Sequence, residues 1–462
     1  MIRLTATRLA PLLGLSAAAC MNVPSAPPTI APPAARGPFA ALPVTSIAPV
    51  PDGWWRLYED SALDGLVRSA LSANADIRVA EANLRSARAA LRLARANRLP
   101  QTTLESALAV DDPSSQPSAS GNVPTTDYDA AVTASWDPDL FARLRSAAAA
   151  AEADLDAQAA LADGVRVAVA ADTVLAYVDL CGSTRAIALA REVAAAQDRT
   201  VGLVRDQLRS GETSPLEVAQ AATIAASTRA AIAPFEAQRA NALYRLATLQ
   251  GRPPAEARGF GFDCAAAPRL RGAVPVGDGA SLLLRRPDVR EAERRLAAAA
   301  ARIGVARADL YPRVSLSGAL GLLGGGLRGV ASPLVTWAFP NRAPARARLE
   351  QARGAERAAL AGWDVAVLRA LREVETAIAA YDAEVRRNGA LDLAVAEAKA
   401  YARRAEARVR LGDSPGIVQT DAQRALAGSM LQKVQSDIAV SQAEVALFRS
   451  LGGGWRTKAP GG

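Results

Sequence analysis

The sequence contains no histidine, three cysteines, three lysines and 4% aromatic residues in 462 positions. Without histidine there is no imidazole base, no imidazole metal ligand and no Ser–His or Cys–His nucleophile pair. Three cysteines are too few for a zinc cluster or a disulfide-built scaffold. After residue 20 no stretch approaches 18 uninterrupted apolar residues, so no transmembrane helix is expected. The glycine-rich candidates for a phosphate-binding loop are Gly259-Phe260-Gly261 and Gly324-Gly325-Gly326. Neither opens a helix with Lys-Ser/Thr, so neither reads as a phosphate loop. An enzyme, a cofactor and a bound metal are therefore not expected.

What is abundant is alanine, in a chain that is 50% apolar. Each alanine removes little area from water, so the core is thin, but alanine favours long helices that approach closely. The 54 basic and 46 acidic residues give a net charge of +8, and nearly all the basic residues are arginine. These charges are dispersed along the chain, as on solvated helix faces. No basic stripe with interleaved aromatics calls for a nucleic acid.

The first residues read as an address. Arg3 and Arg8 precede the apolar run Leu9–Leu15, then the small residues Ser16–Ala19, then Cys20. This is the layout of an export signal, and its end resembles a bacterial lipoprotein signal with Cys20 as the lipid-bearing residue. The alternative is an ordinary cleaved signal with an incidental cysteine. Residues 1–19 are assigned to the signal, and 20–50, rich in Pro, Ala and Ser, to a tether.

The remainder is written twice. Asn74-Ala75-Asp76 recurs as Arg286-Pro287-Asp288, and Leu99-Pro100 as Tyr311-Pro312, each 212 residues later. Trp136 recurs as Trp337, Gly211 as Gly412 and Gly251 as Gly452, each 201 later. Landmarks in the same order define two repeats, over residues 51–260 and 261–455, with a flexible tail at 456–462. Each repeat reads as helix, strand pair, very long helix, turn, long helix. A helical run is expected over 63–98, and a return helix from Pro215 to about Gln250. Phe141, Ala148, Leu155, Ala162, Val169 and Ala176 lie seven apart, as do Leu360, Val367, Val374 and Tyr381. That spacing indicates helices that wind around each other. Phe141 to Ser210 corresponds to about 105 Å of helix, which predicts an elongated molecule.

Both long helices end in similar turns. Gly211 suits the left-handed position, Ser214 an N-cap, Pro215 the first turn and Glu217 a capping box. Gly412, Ser414 and Pro415 repeat the device. Strands are expected at about 101–111, 127–137, 313–323 and 330–340, from alternation such as Leu104, Ser106, Leu108 against Thr103, Glu105, Ala107. Such segments fit either a membrane barrel or a soluble sandwich. Four strands cannot close a barrel in one chain, since small barrels need about eight.

Together these residues resemble the TolC-type outer membrane factors, in particular the NodT-like lipoproteins, over about residues 50–455. The resemblance rests on Trp54-Trp55 with Leu63 and Leu66, the two Asp76 and Asp288 helix starts, Leu99-Pro100 and Tyr311-Pro312, Trp136-Asp137 with Leu140-Phe141, and Gly412 followed by Asp421-Ala422-Gln423. It implies a mainly α protein with membrane β: a homotrimer with one 12-stranded β-barrel and a periplasmic helical tunnel. The implied role is the exit duct of a tripartite efflux pump. The partners would be a periplasmic adaptor, an inner membrane transporter and outer membrane lipid. The alternatives are a type I-like secretion duct and a non-pore coiled-coil scaffold or adaptor. The resemblance also places a periplasmic gate at Asp421, with Glu217 and Gln220 at equivalent sites of the first repeat. An adaptor-docking tip falls on Gly211, Ser214, Pro215, Gly412, Ser414 and Pro415. Other positions of the family's gate network are occupied here by Val418, Val409 and Ser414. Finally, Cys181 and Cys264 fall at comparable heights above the tips, and a disulfide between them is expected in an oxidising periplasm.

Overall fold

The computed structural model describes residues 39, 45–46, 48–110, 126–259, 264, 267–270, 272–323 and 326–453. The expected signal, Cys20, most of the tether and the tail at 456–462 lie outside these residues. Two short strands, β1 (Thr45–Ser46) and β4 (Val274–Pro275), pair in parallel. In the first repeat follow α1 (Ser61–Ala73), α2 (Ala75–Ala96), β2 (Gln101–Val110), β3 (Thr126–Trp136), α3 (Arg143–Arg209), α4 (Pro215–Ala230) and α5 (Ile232–Leu249). The second repeat supplies α6 (Gly279–Arg285), α7 (Pro287–Ala308), β5 (Arg313–Leu323), β6 (Gly326–Thr336), α8 (Ala343–Arg410) and α9 (Gly416–Ser450). The equivalent helices α3 and α8 contain 67 and 68 residues.

Three boundaries differ from the sequence expectation, each for a local reason. The single run over 63–98 is two helices, because Asn74 is extended and caps the second. Its Oδ1 accepts the Asp76 and Ile77 N–H groups at 2.8 and 3.2 Å. The return helix from Pro215 is broken at Ala231, because Pro234 has no N–H to give to the carbonyl of Ala230. Its counterpart α9 has Gln435 at that position and runs unbroken. The fourth strand starts at Gly326 rather than near 330. The ladder continues to Leu323↔Gly326, so only residues 324–325 connect the strands.

The chain forms two compact units. One comprises Ala82–Ala159 and Glu291–Val365 and holds the four-stranded antiparallel sheet, order β2-β3-β5-β6. The other comprises Ala31–Glu81, Ala160–Arg290 and Ala366–Gly462. Its main core gathers Trp54, Trp55, Tyr58, Leu63, Val67, Val174, Val178, Ile378, Leu447 and Phe448. Trp54 stacks on Phe448 with ring centroids 4.6 Å apart. Several of the few aromatics gather here, where a large buried ring stabilises most per residue.

The internal repeat is visible in four helix ends. Gly211, Gly251, Gly412 and Gly452 have φ of +78°, +70°, +73° and +65°. After each, the next residue's N–H reaches back five residues, as in Glu212 N–H to Gln207 O at 2.8 Å and Asp413 N–H to Arg408 O at 3.0 Å. The glycine N–H reaches back three, as in Gly211 to Leu208 and Gly412 to Val409. These bonds close Schellman turns and satisfy the last helical carbonyls. The free carbonyl at the end of each return helix also meets the second helix start of its own repeat. Asn74 Nδ2 donates to Leu249 O at 3.0 Å, and Arg286 Nη1 donates to Ser450 O at 2.9 Å. Asn74 and Arg286 differ chemically but occupy one structural position.

Candidate functional site

The sheet has two unlike faces. Following the pairing, Leu104, Val132, Leu320 and Gly329 lie in one row, and Trp136, Leu316 and Pro333 in another. The same face carries Val314, Leu322, Leu327, Ala331 and Val335. The opposite face carries Thr103, Glu105, Thr133, Ser135, Ser315, Ser317, Arg328 and Ser332, with Val330 and Leu334 among them. Leu104 and Leu327 are each 74% exposed, Val335 61% and Leu320 59%. A continuous uncovered apolar sheet face is unlike the surface of a soluble monomer. One apolar and one polar face, on strands of ten and eleven residues, match the wall of a membrane barrel. Gly321 is required where the strands press together, since a Cβ there would lie 2.3 Å from Ala130 O. Among the described residues β2 pairs only with β3, and β6 only with β5, so both edges are open. No described helix is long and apolar enough to cross a membrane.

At the foot of the sheet the aromatics cluster. Trp136 Nε1 donates to Arg98 O at 3.1 Å, and Arg342 Nη2 donates to the equivalent carbonyl of Leu310 at 2.6 Å. Phe141 stacks on Tyr311 at 4.8 Å, and Trp337 on Phe339 at 5.0 Å. Asp139 caps α3, accepting the Leu144 and Arg145 N–H groups at 2.8 Å each.

The tips carry the expected gate and docking residues. At the first, Gly211, Ser214 and Pro215 are exposed, and Glu217 closes a capping box, accepting the Ser214 N–H at 2.9 Å. The Thr213 hydroxyl also donates to Glu217. Glu217 is thus engaged in the turn, while Gln220, one turn on, is half-buried. At the second tip Ser414 is not the cap. The N-cap is Pro415, without a side-chain bond, and Arg408 Nε closes the turn instead by donating to Asp413 at 2.9 Å. Asp421 is exposed, 3.4 Å from Arg424, and Val418 joins Ala402, Ala405 and Ala422 in an apolar cluster. The two tips lie side by side: a Cβ at Gly416 would come within 3.7 Å of the Gln207 side chain. Cys181 and Cys264 are joined by a disulfide with Cα atoms 5.2 Å apart.

Sequence reading missed a polar track along α9. Glu444 is 3% exposed, inside the aromatic core. The hydroxyls of Tyr58 and Tyr381 donate to its two oxygens at 3.1 and 3.2 Å. Burial, only partly offset by these bonds and by Arg269, pushes its carboxyl up to about 7. About three turns away, Lys433 bridges Asp392 and Asp437 at 2.9 and 2.8 Å, and Asn388 also donates to Asp437. Burial works against the charge of Asp437, but the Asn388 and Lys433 bonds outweigh it and hold the carboxyl below its usual range. The sequence signal is weak: one acid between Val440 and Phe448, with its partners Tyr58 and Tyr381 far away along the chain.

The family model described as outer membrane efflux protein matches residues 66–252 and 280–453. The chain belongs to this family. It is 30% identical to the pyoverdine export outer membrane protein OpmQ of Pseudomonas putida, over 97% of each chain. It is 29% identical to nodulation protein T of Rhizobium leguminosarum bv. trifolii, over 81% of each. Among solved structures, the outer-membrane channel OprN superposes with a TM-score of 0.84 at 32% identity, over 93% of this chain and 99% of that one. The fold is that of the TolC-type channels, mostly helical with a few long strands. The protein is an outer membrane efflux channel component with a large periplasmic portion. Its relatives are efflux channels, not enzymes.

Proposed function

We propose that three copies of this chain close one 12-stranded barrel and act as the passive exit duct of a tripartite efflux pump. The observation that carries the reading is the four-stranded sheet, with an uncovered apolar face and two open edges. β2 and β6 run antiparallel, so β6 of one copy can add to β2 of the next, and three copies leave no edge. A non-pore scaffold has no use for such a sheet. The helices continue the duct through the periplasm. The tips at Gly211–Pro215 and Gly412–Pro415 receive a periplasmic adaptor, which an inner membrane transporter drives. Cys20 carries the lipid anchor and lies outside the described residues.

The gate rests on Asp421. Three copies around an axis bring three exposed carboxylates together, each with an Arg424 beside it. Glu217 serves its capping box and contributes shape rather than free charge, and Gln220 lines the same level without charge. The test is cross-linking or light scattering of the detergent-purified protein, with conductance of Asp421→Ala. A trimer in which the variant opens more readily supports the assignment. A monomer overturns the closure, and a trimer whose variant conducts like the wild type overturns the gate.

A further inference from the structure

We propose that a cavity at the foot of the sheet, between Arg98 and Trp136, binds the phosphate of an anionic phospholipid. The proposal rests on the outer membrane reading above and names a lipid site within it. The cavity measures about 370 Å³ and is lined by Arg98, Trp136, Asp137, Asp139, Leu140 and Arg145. That volume falls in the range of small-molecule sites.

Its charges do not cancel. Asp137 is matched by Arg143 at 2.9 Å, and Asp139 by Arg145 at 3.3 Å. Asp139 also accepts two backbone N–H groups at the start of α3. Both acids are therefore compensated. The Arg98 guanidinium is exposed and has no ion-pair partner among the described residues. Counting Arg143, which pairs with Asp137 from outside the lining, three arginines face two carboxylates, and the excess charge sits on the group best shaped for a phosphate.

The other wall is apolar. Trp136 is the last residue of β3 and belongs to the apolar face of the sheet. It is 39% exposed and Leu140 40%. A ligand with a phosphate at Arg98 can lay its hydrocarbon against Trp136 and continue up the face through Leu316 and Val132. The indole sits where aromatic belts meet the headgroups. A free inorganic anion satisfies the arginine but leaves this apolar wall uncovered, which favours a lipid.

Among the described residues the second repeat has Leu310 where the first has Arg98, so the equivalent place lacks the free arginine. Arg342 donates to Leu310 O and lies over the Trp337 ring at 5.4 Å. In the first repeat the indole of Trp136 serves the equivalent carbonyl, and Arg98 stays free.

The test is native mass spectrometry of the detergent-purified full chain with phosphatidylglycerol, phosphatidylcholine of the same acyl chains, or phosphatidylglycerol plus millimolar inorganic phosphate. The wild type should retain phosphatidylglycerol over phosphatidylcholine by about five-fold, the effect of one basic side chain at an anionic lipid surface. Arg98→Gln should abolish that preference and Arg98→Lys keep most of it. A second readout needs no change at Arg98: brominated-chain phosphatidylglycerol should quench wild-type tryptophan fluorescence more than Trp136→Phe. Equal retention of the two lipids, an unchanged preference in Arg98→Gln, equal quenching in Trp136→Phe, or displacement by inorganic phosphate each overturns the site. A wild-type protein that needs no detergent contradicts the membrane reading itself, which separates the two failures.

Discussion

Glu444→Gln isolates a single buried proton. Burial raises the Glu444 carboxyl from 4.5 to about 7, so folding takes up a proton at this site between those values. Stability from that proton is fully present below about pH 4.5 and is lost as pH rises through about 7. Raising the carboxyl from 4.5 to about 7 corresponds to about 3 kcal/mol over that window. For a chain of this length the melting entropy is about 1 kcal/mol per degree, so the effect is about 3 °C in midpoint. Glutamine keeps the shape and cannot ionise, and its amide can donate to one tyrosine hydroxyl in place of accepting. The assay is the thermal midpoint of wild type and variant in one detergent at pH 5 and pH 8. The wild type should lose about 3 °C relative to the variant on going from pH 5 to pH 8. Tyr381→Phe removes a bond that favours the charged form and should carry the loss to higher pH. A difference that stays constant with pH, or one in which the wild type gains as pH rises, refutes the buried-proton account.

Gly251→Ala should lower stability by about 3 kcal/mol, because strain at positive φ adds to a Cβ placed 2.6 Å from Ala73 O. Gly211→Ala meets nothing within 4 Å and should cost only about 1 kcal/mol, so equal midpoints for the two variants contradict the packing argument. Cys181→Ser opens an 83-residue loop, worth about 4.5 kcal/mol in the chain-entropy limit. Unchanged gel migration of the unfolded wild type with and without reductant argues against the bridge.

Much of the fold was legible because it repeats. One set of landmarks at offsets of 212 and 201 located the helix starts, the strand feet and the glycine turns in both halves. Four Schellman glycines stand where left-handed conformations are needed. Legibility failed where one residue decided the matter. Pro234 breaks a return helix whose counterpart is continuous, and a two-residue connection starts β6 four residues earlier than the expected 330. Of the tip residues, Glu217 was placed correctly in its capping box, but the Ser414 cap gave way to Pro415 and an Arg408–Asp413 clasp. The Glu444 cluster was invisible because its partners come from residues 58 and 381, with no local pattern to join them.

Planar-bilayer conductance of the detergent-purified, mass-verified protein tests the central claim most directly. The account predicts discrete openings from a trimeric species, with Asp421→Ala altering how readily it opens. A monomer that never conducts contradicts the channel and leaves the apolar sheet face without a purpose.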